Sequence, residues 1–285
     1  MRKRLPVLLL ASGLLLGSGL SAQAQFKLNP KTIGAGLKAA KAATVSDAEV
    51  IEHTKEYVKW SDENNPVAPA NSPYAQRLKK IVAGLDNYDG MTMNYKAYLV
   101  KDVNAFACAD GSVRVFAGLM DLMSDQEILG VIGHEIGHVK NKDSKDAMRT
   151  ALMASALKEG ASSQGGAAGA LSDSQLGDLG QAVANASFSR AQESSADSYG
   201  YDLLKAKKLN PWYMATAFGK LNDLSGGAKA SKGAQLFSSH PDSEKRMTIV
   251  MEKAQKDGFT KPTDPVTPTK SATPTKSTTP TKAKK

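Results

Sequence analysis

The stretch His134-Glu135-Ile136-Gly137-His138 combines residue types and a spacing that suit metal-assisted hydrolysis. On a helix, histidines at i and i+4 share one face, so both imidazoles reach a single Zn2+ at about 2.0–2.1 Å. Glu135 then stands beside the metal rather than on it. There it can take a proton from a water on the metal, whose pKa zinc lowers to about 7, and pass that proton to a leaving amine. Gly137 is a poor helix former, and its use would be the close approach of another backbone. Two ordinary helix histidines are the bland alternative, but they leave Glu135, an ionisable group on an apolar helix, without a role.

A catalytic zinc needs a third protein donor and one open position. The extended pattern with a glycine and a third histidine after the second histidine is excluded, because those positions hold Asn141 and Ser144. A glutamate from a later helix remains, and Glu193-Ser194-Ser195-Ala196-Asp197 fits. Glu193 can ligate, while Asp197, one turn on and on the same face, accepts the second N–H of a ligating histidine. Without the histidine motif these two acids would read as a solvated helix surface. His240, before Pro241 and six residues ahead of Arg246, keeps three readings. It can donate to the oxyanion of a tetrahedral intermediate, occupy the open metal position and hold the site latent, or be a plain turn histidine. The expected cofactor is one Zn2+ per chain.

The elements that must position these groups are legible from their start signals. Ser46-Asp47-Ala48-Glu49 is a capping box opening a helix to about Trp60, and Ser72-Pro73 sets a cap before proline at the first helical position. Asn94 to Lys101, Asn104 to Ala109 and Ser112 to Ala117 read as strands, the last two joined by the hairpin signal Asp110-Gly111. They predict a small antiparallel sheet. A second capping box, Ser124-Asp125-Gln126-Glu127, opens a helix with a broad apolar face that carries the histidine motif and should be mostly buried. The Ala/Gly/Ser-rich stretch from Ala151 to Gly180 reads as a mobile insertion. Further helices are expected over about Ser187 to Lys207 and from Pro211 onward. Helices around one small sheet make an α+β domain. Cys108 reads as a buried small hydrophobe rather than a reactive thiol.

The net charge of +9 divides unevenly: Arg2, Lys3 and Arg4 carry three, Pro262 to Lys285 a net four, and the remainder only two. Basicity at the two ends gives a nucleic-acid function little support. One cysteine closes no intrachain disulfide, and four histidines are too few for a metal-storage tract. Residues 1–24 have the basic start, the apolar stretch Val7 to Leu20 and the Ala22-Gln23-Ala24 site of a secretory leader, predicting cleavage near Ala24 and a soluble, periplasmic product. The apolar stretch is interrupted by glycines and serines and falls short of the roughly 20 residues that span a bilayer. No cysteine follows it, so lipid anchoring is not expected. The domain is expected over 46–258 after a linker, 25–45. It should end in a disordered tail, 259–285, built on Thr-Pro-Thr-Lys repeats of period six. That tail reads as a spacer, or as a peripheral contact with anionic envelope surfaces.

Assembled in order, these residues resemble the HtpX and CaaX-prenyl-protease family of zinc metallopeptidases. The resemblance runs from about Ser46 to Met251. It rests on Ala68-Pro69-Ala70-Asn71-Ser72, Asp102-Val103-Asn104-Ala105-Phe106-Ala107, Gly118-Leu119-Met120-Asp121 and Gly133-His134-Glu135-Ile136-Gly137-His138-Val139. It rests also on Ser187-Phe188-Ser189-Arg190, Glu193 with Asp197, and His240-Pro241 with Arg246. It implies a mostly helical zincin domain of the gluzincin type with its small sheet on the active-site helix. His134, His138 and Glu193 would be the zinc ligands, Glu135 the general base and His240 an active-site histidine. The implied activity is endoproteolysis of unfolded or damaged envelope proteins, with the strand holding Asn104, Ala105, Phe106 and Ala107 as an edge on which an extended substrate pairs. The Thr-Pro-Thr-Lys tail is foreign to the family's pattern. A chaperone-like binder with latent proteolysis and a zinc hydrolase of peptidoglycan cross-bridges are the alternatives; oligomeric state is left open.

Overall fold

A computed structural model describes residues 45–160, 171–184, 186–226, 240 and 243–263. The expected leader, nearly all of the linker and the Thr-Pro-Thr-Lys repeats lie outside the described residues.

Local capping sets the helix starts. Helix α1 (Asp47–Asn64) begins at Ser46, whose Oγ accepts the Glu49 N–H at 3.3 Å while Glu49 returns a carboxylate oxygen to the Ser46 N–H at 2.8 Å. The same reciprocal box opens α4 (Asp125–Lys140) at Ser124 and α7 (Arg190–Ala206) at Ser189, satisfying donors that a helix start otherwise leaves unpaired. Helix α2 (Pro73–Ile81) starts on the Ser72 cap with proline at its first position. The remaining helices are α3 (Ala117–Leu122), α5 (Asp143–Gly160), α6 (Asp173–Ala184), α8 (Trp212–Gly226) and α9 (Ser243–Lys256). No helix among the described residues is long and apolar enough to cross a membrane.

Of the forms open to the Ala/Gly/Ser-rich stretch, a gate, a disordered insertion or a helical hairpin, its described residues are largely helical: α5 runs into it and α6 emerges from it. Alanine is the strongest helix former, and its runs stay helical where apolar neighbours give them something to pack on. Residues 161–170 of the stretch lie outside the described residues.

The sheet is mixed, not purely antiparallel. Strands β4 (Ala105–Ala107) and β5 (Ser112–Phe116) form the antiparallel hairpin that Asp110-Gly111 predicts, but β3 (Asn94–Tyr98) lies on the far edge of β5 and runs parallel to it. The sequence order suggests β3 beside β4; instead residues 66–68 pair with β3's outer edge, through Ala68 N–H to the Ala97 carbonyl and Leu99 N–H to the Pro66 carbonyl. Central β5 is buried throughout and β4 is left as an edge. A two-stranded ribbon, β1 (Asn87–Tyr88) with β2 (Met91–Thr92), turns on Asp89-Gly90, both at positive φ.

Two large apolar cores result, with a small cluster of Tyr98, Val100 and Phe116 beside them. The larger packs the sheet, α2, α3, α4, α7, α8 and α9 around Leu119, Met120, Ile128, Ile132, Leu204 and Met214. The smaller joins α1, α5 and α6 through Val50, Tyr57, Val58, Met148, Leu176 and Leu179. Helix α1 is also fastened to the sheet through Asp62, which receives Arg114 Nε at 2.8 Å, Lys96 Nζ at 2.7 Å and the Tyr98 hydroxyl at 2.7 Å. Cys108 is buried against the smaller core, and burial pushes its thiol well above the ordinary range, as befits a small hydrophobe.

Candidate active site

Helix α4 is buried on all sides over Glu127–His138, so its histidines and Glu135 are held in the larger core rather than at the surface. It crosses α7 through small residues. A Cβ on Gly137 would stand 2.9 Å from the Ala196 Cα and 3.1 Å from its carbonyl oxygen, and one on Gly200 would stand 2.9 Å from the His134 nitrogen. That contact brings Glu193, one turn before Asp197 on α7, against the two imidazoles. Gly137→Ala meets backbone that cannot yield, so it should cost about 1–3 kcal/mol of stability. It should also move Glu193 off the histidines; a folded variant with unchanged zinc affinity would contradict this.

The structure brings His134, His138, Glu193 and His240 together, with one donor atom of each within 4.8 Å of the others and all four residues buried. His134 Nε2 is 3.1 Å from His138 Nε2 and 3.1 Å from His240 Nδ1. Glu193 Oε1 is 2.9 Å from His240 Nδ1 and 3.7 Å from His138 Nε2, and Glu193 Oε2 is 3.6 Å from His134 Nε2. Donors bound tetrahedrally to zinc at 2.0–2.1 Å sit about 3.3–3.4 Å apart, so these spacings fit.

The protonation pattern fits as well. His134 Nδ1 faces Asp197 Oδ1 at 2.8 Å and His138 Nδ1 faces Asp143 Oδ2 at 2.8 Å. The Asp143 carboxylate fixes the proton of His138 on Nδ1, which leaves its Nε2 lone pair aimed across 3.1 Å at His134 Nε2. His134 Nδ1 has the Asp197 oxygen in ion-pair range and also meets the Arg246 Nη2 donor at 3.1 Å. A cation among these nitrogens and the Glu193 carboxylate would take up the ring lone pairs that face one another. Asp197 stands where its spacing from Glu193 places it. Asp143, five residues after His138, is the partner that sequence reasoning missed. It is held in turn by Gln192 Nε2 at 2.9 Å and reached through Lys142, which breaks the helix at φ 69°. Arg246, read only as a matched position, is buried among the carboxylates: Nε and Nη2 donate to Asp197 at 2.9 and 2.6 Å. Phe188 stacks on His138 with ring centroids 4.1 Å apart.

Burial dominates the electrostatics. It holds His138 down to about 4, with His240 adding to the effect, and His240 down to about 3, with Arg246 adding. His134 is likewise held well below the ordinary imidazole range by burial, Arg246 and the other two imidazoles. Burial pushes Glu193 up to about 7 against the pull of Arg246, and burial with the Glu193 charge pushes Glu135 up to about 8. Above about pH 5 His138 and His240 are therefore neutral, and a metal bound by Glu193 would have to displace the proton that burial holds on that carboxyl. Zinc affinity should thus rise roughly tenfold per pH unit up to about pH 7 and flatten above, measured by chelator competition. A midpoint near the ordinary histidine value of 6.5 with a two-proton slope would contradict it.

Glu135 is anchored by one oxygen: its Oε2 accepts the Ala107 N–H of β4 at 3.1 Å. Its Oε1 is buried, has no hydrogen-bond partner among the described residues and lies 3.5 Å from His240 Nε2. A cleft of about 360 Å3 opens beside Glu135 and His240, walled by Tyr57, Trp60, Phe106, Phe116, Val183 and Phe188. Strand β4 is its edge. The bonds Phe116 N–H to the Asn104 carbonyl and Cys108 N–H to the Ser112 carbonyl fix the phase of the ladder. Asn104 and Phe106 thus turn their backbone groups to β5, while Ala105 and Ala107 turn theirs to the cleft.

Residues 71–254 match the family model described as peptidase family M48. Metalloprotease LoiP of Escherichia coli (strain K12) is 43% identical over 228 residues, which cover 80% of this chain and 89% of that protein. Metalloprotease YcaL of the same strain is 41% identical over 222 residues, 78% of this chain and 86% of its own length.

Proposed function

We propose that this chain, which belongs to peptidase family M48, is a zinc endopeptidase of the cell envelope that cuts unfolded or damaged polypeptides, with His134, His138 and Glu193 as ligands and Glu135 as general base. That it is a zinc metallopeptidase follows from the family. The observation that carries the assignment of residues is the buried cluster in which one donor atom each of His134, His138, Glu193 and His240 lies within 4.8 Å of the others, with the two Nε2 atoms 3.1 Å apart. Bound zinc supplies Lewis acidity that makes water nucleophilic near neutral pH.

The protein's own groups do the rest. Glu135 Oε2 is tied to the edge strand, so its free Oε1 faces the site at a fixed height relative to any chain paired on β4. Burial raises the proton affinity of that carboxylate, which makes it a stronger base than an exposed one. Ala105 offers its N–H and carbonyl, and Ala107 its carbonyl, to an extended substrate, which favours unfolded segments over folded ones. The basic start, apolar stretch and Ala22-Gln23-Ala24 of residues 1–24 support export to the envelope.

A second reading concerns His240. Its Nδ1 lies inside the donor cluster, 3.1 Å from His134 Nε2 and 2.9 Å from Glu193 Oε1, which favours a resting form closed by a fourth protein donor. The test is zinc content of the purified protein with casein cleavage, before and after chelation. About one zinc per chain and cleavage lost with the chelator is the expected result, and absence of zinc after reconstitution overturns the reading. His240→Ala should keep zinc and raise cleavage; a fall of about 10²–10³ would give His240 the oxyanion role instead.

A further inference from the structure

We propose that Arg246 is a positioning residue for the metal: one guanidinium fixes both the third donor, Glu193, and the orientation of His134. The proposal rests on the ligand set given above. Arg246 reaches the site from α9, a different element from those that carry the donors, and is only 6% exposed. Its Nη1 lies 2.7 Å from Glu193 Oε2, while Nε and Nη2 bind the two oxygens of Asp197 at 2.9 and 2.6 Å. Beneath the guanidinium is the ring of Phe218, 4.3 Å away.

Glu193 and Asp197 are four residues apart on one helical face, a spacing at which like charges repel, and both are buried. A cation between them removes that cost, but the geometry achieves more than neutrality. The Nη1 contact to Glu193 is out of line for a hydrogen bond, since Oε2 has no such partner. The guanidinium is therefore locked in plane by Asp197 and by the Phe218 ring, and Glu193 is held by charge against that fixed plane. This leaves Oε1 turned toward His138 and His240, at 3.7 and 2.9 Å. The Arg246 Nη2 that donates to Asp197 Oδ1 also lies 3.1 Å from His134 Nδ1, and that Asp197 oxygen is 2.8 Å from the same ring nitrogen. Moving Arg246 moves two of the three donors at once. An ammonium cannot replace it, because a point charge on a flexible stem does not present a planar fork to two carboxylates.

The test uses the full chain purified with zinc, with Arg246→Met and Arg246→Lys. Zinc affinity is read by competition with a chromophoric chelator, ligand geometry by the visible absorption of the cobalt-substituted protein, and folding by circular dichroism. Arg246→Met should weaken zinc by about 10–100-fold and alter the cobalt spectrum, with partial recovery of both on adding guanidinium. Arg246→Lys should fall between it and the native protein. Native zinc affinity and cobalt spectrum in folded Arg246→Met overturn the proposal, because a role confined to fold stability predicts that result. If Arg246→Met does not fold, native values in Arg246→Lys overturn it equally. A native chain that binds no zinc would instead overturn the ligand assignment itself.

Discussion

Glu135→Gln is expected to lower kcat/KM for casein by about 10²–10⁴ while leaving zinc bound. The substitution conserves shape, and its amide oxygen can still accept the Ala107 N–H that holds residue 135 against β4. What it removes is the ability of the second oxygen, buried without a partner, to take a proton. The residue touches none of the proposed ligands closely; its nearest contact in the cluster is His240 Nε2 at 3.5 Å, so metal content should stay at about one per chain. Elemental analysis and initial rates on the same preparation separate the two effects. Retained proteolysis in the zinc-loaded variant would sink the mechanism. Survival of aggregation suppression in the same protein would favour a chaperone-like activity alongside it.

Glu193→Gln should have the larger effect on the metal. It keeps the length of the side chain but removes the only proposed anionic ligand, and it leaves the Arg246 guanidinium unbalanced on the side facing the imidazoles, since Nη1 loses its partner at 2.7 Å. A buried cation with half its ion pairing removed opposes a second cation nearby. Zinc content should fall well below one per chain after dialysis, cleavage should be lost, and the rise in melting temperature on adding zinc to the native protein should shrink accordingly. A variant that keeps stoichiometric zinc through dialysis would show that the three histidines suffice.

The parts of this site legible in the sequence were those encoded by spacing along one helix. His134 with His138, and Glu193 with Asp197, are i, i+4 pairs whose shared face follows from helical pitch alone, and the capping box at Ser124 fixed where the first of those helices begins, whereas the box at Ser189 was not read. Gly137 likewise fills the role its position implied, as a point of backbone approach. The unread parts depend on how elements dock. Asp143 reaches back to His138 only because Lys142 takes a left-handed conformation, and Arg246 enters from α9. Neither has a spacing rule. The parallel partnership of β3 with β5 escaped for the same reason: hairpin signals report neighbours in sequence, and β3 pairs with a strand that is not its neighbour. Asp89-Gly90, the same dipeptide as Asp110-Gly111, turns the ribbon β1–β2, which sequence reasoning missed.

The proposed ligands His134, His138 and Glu193 stand on α4 and α7 of the larger core, with Arg246 on α9 and Asp143 at the first turn of α5 behind them. One wall of the cleft, with Tyr57, Trp60 and Val183, belongs to α1 and α6 of the smaller. Asp143 joins the two: it begins the helix that packs into the smaller core, and its carboxylate holds the His138 ring. Packing of α1, α5 and α6 is thereby linked both to the shape of the cleft and to the orientation of that imidazole.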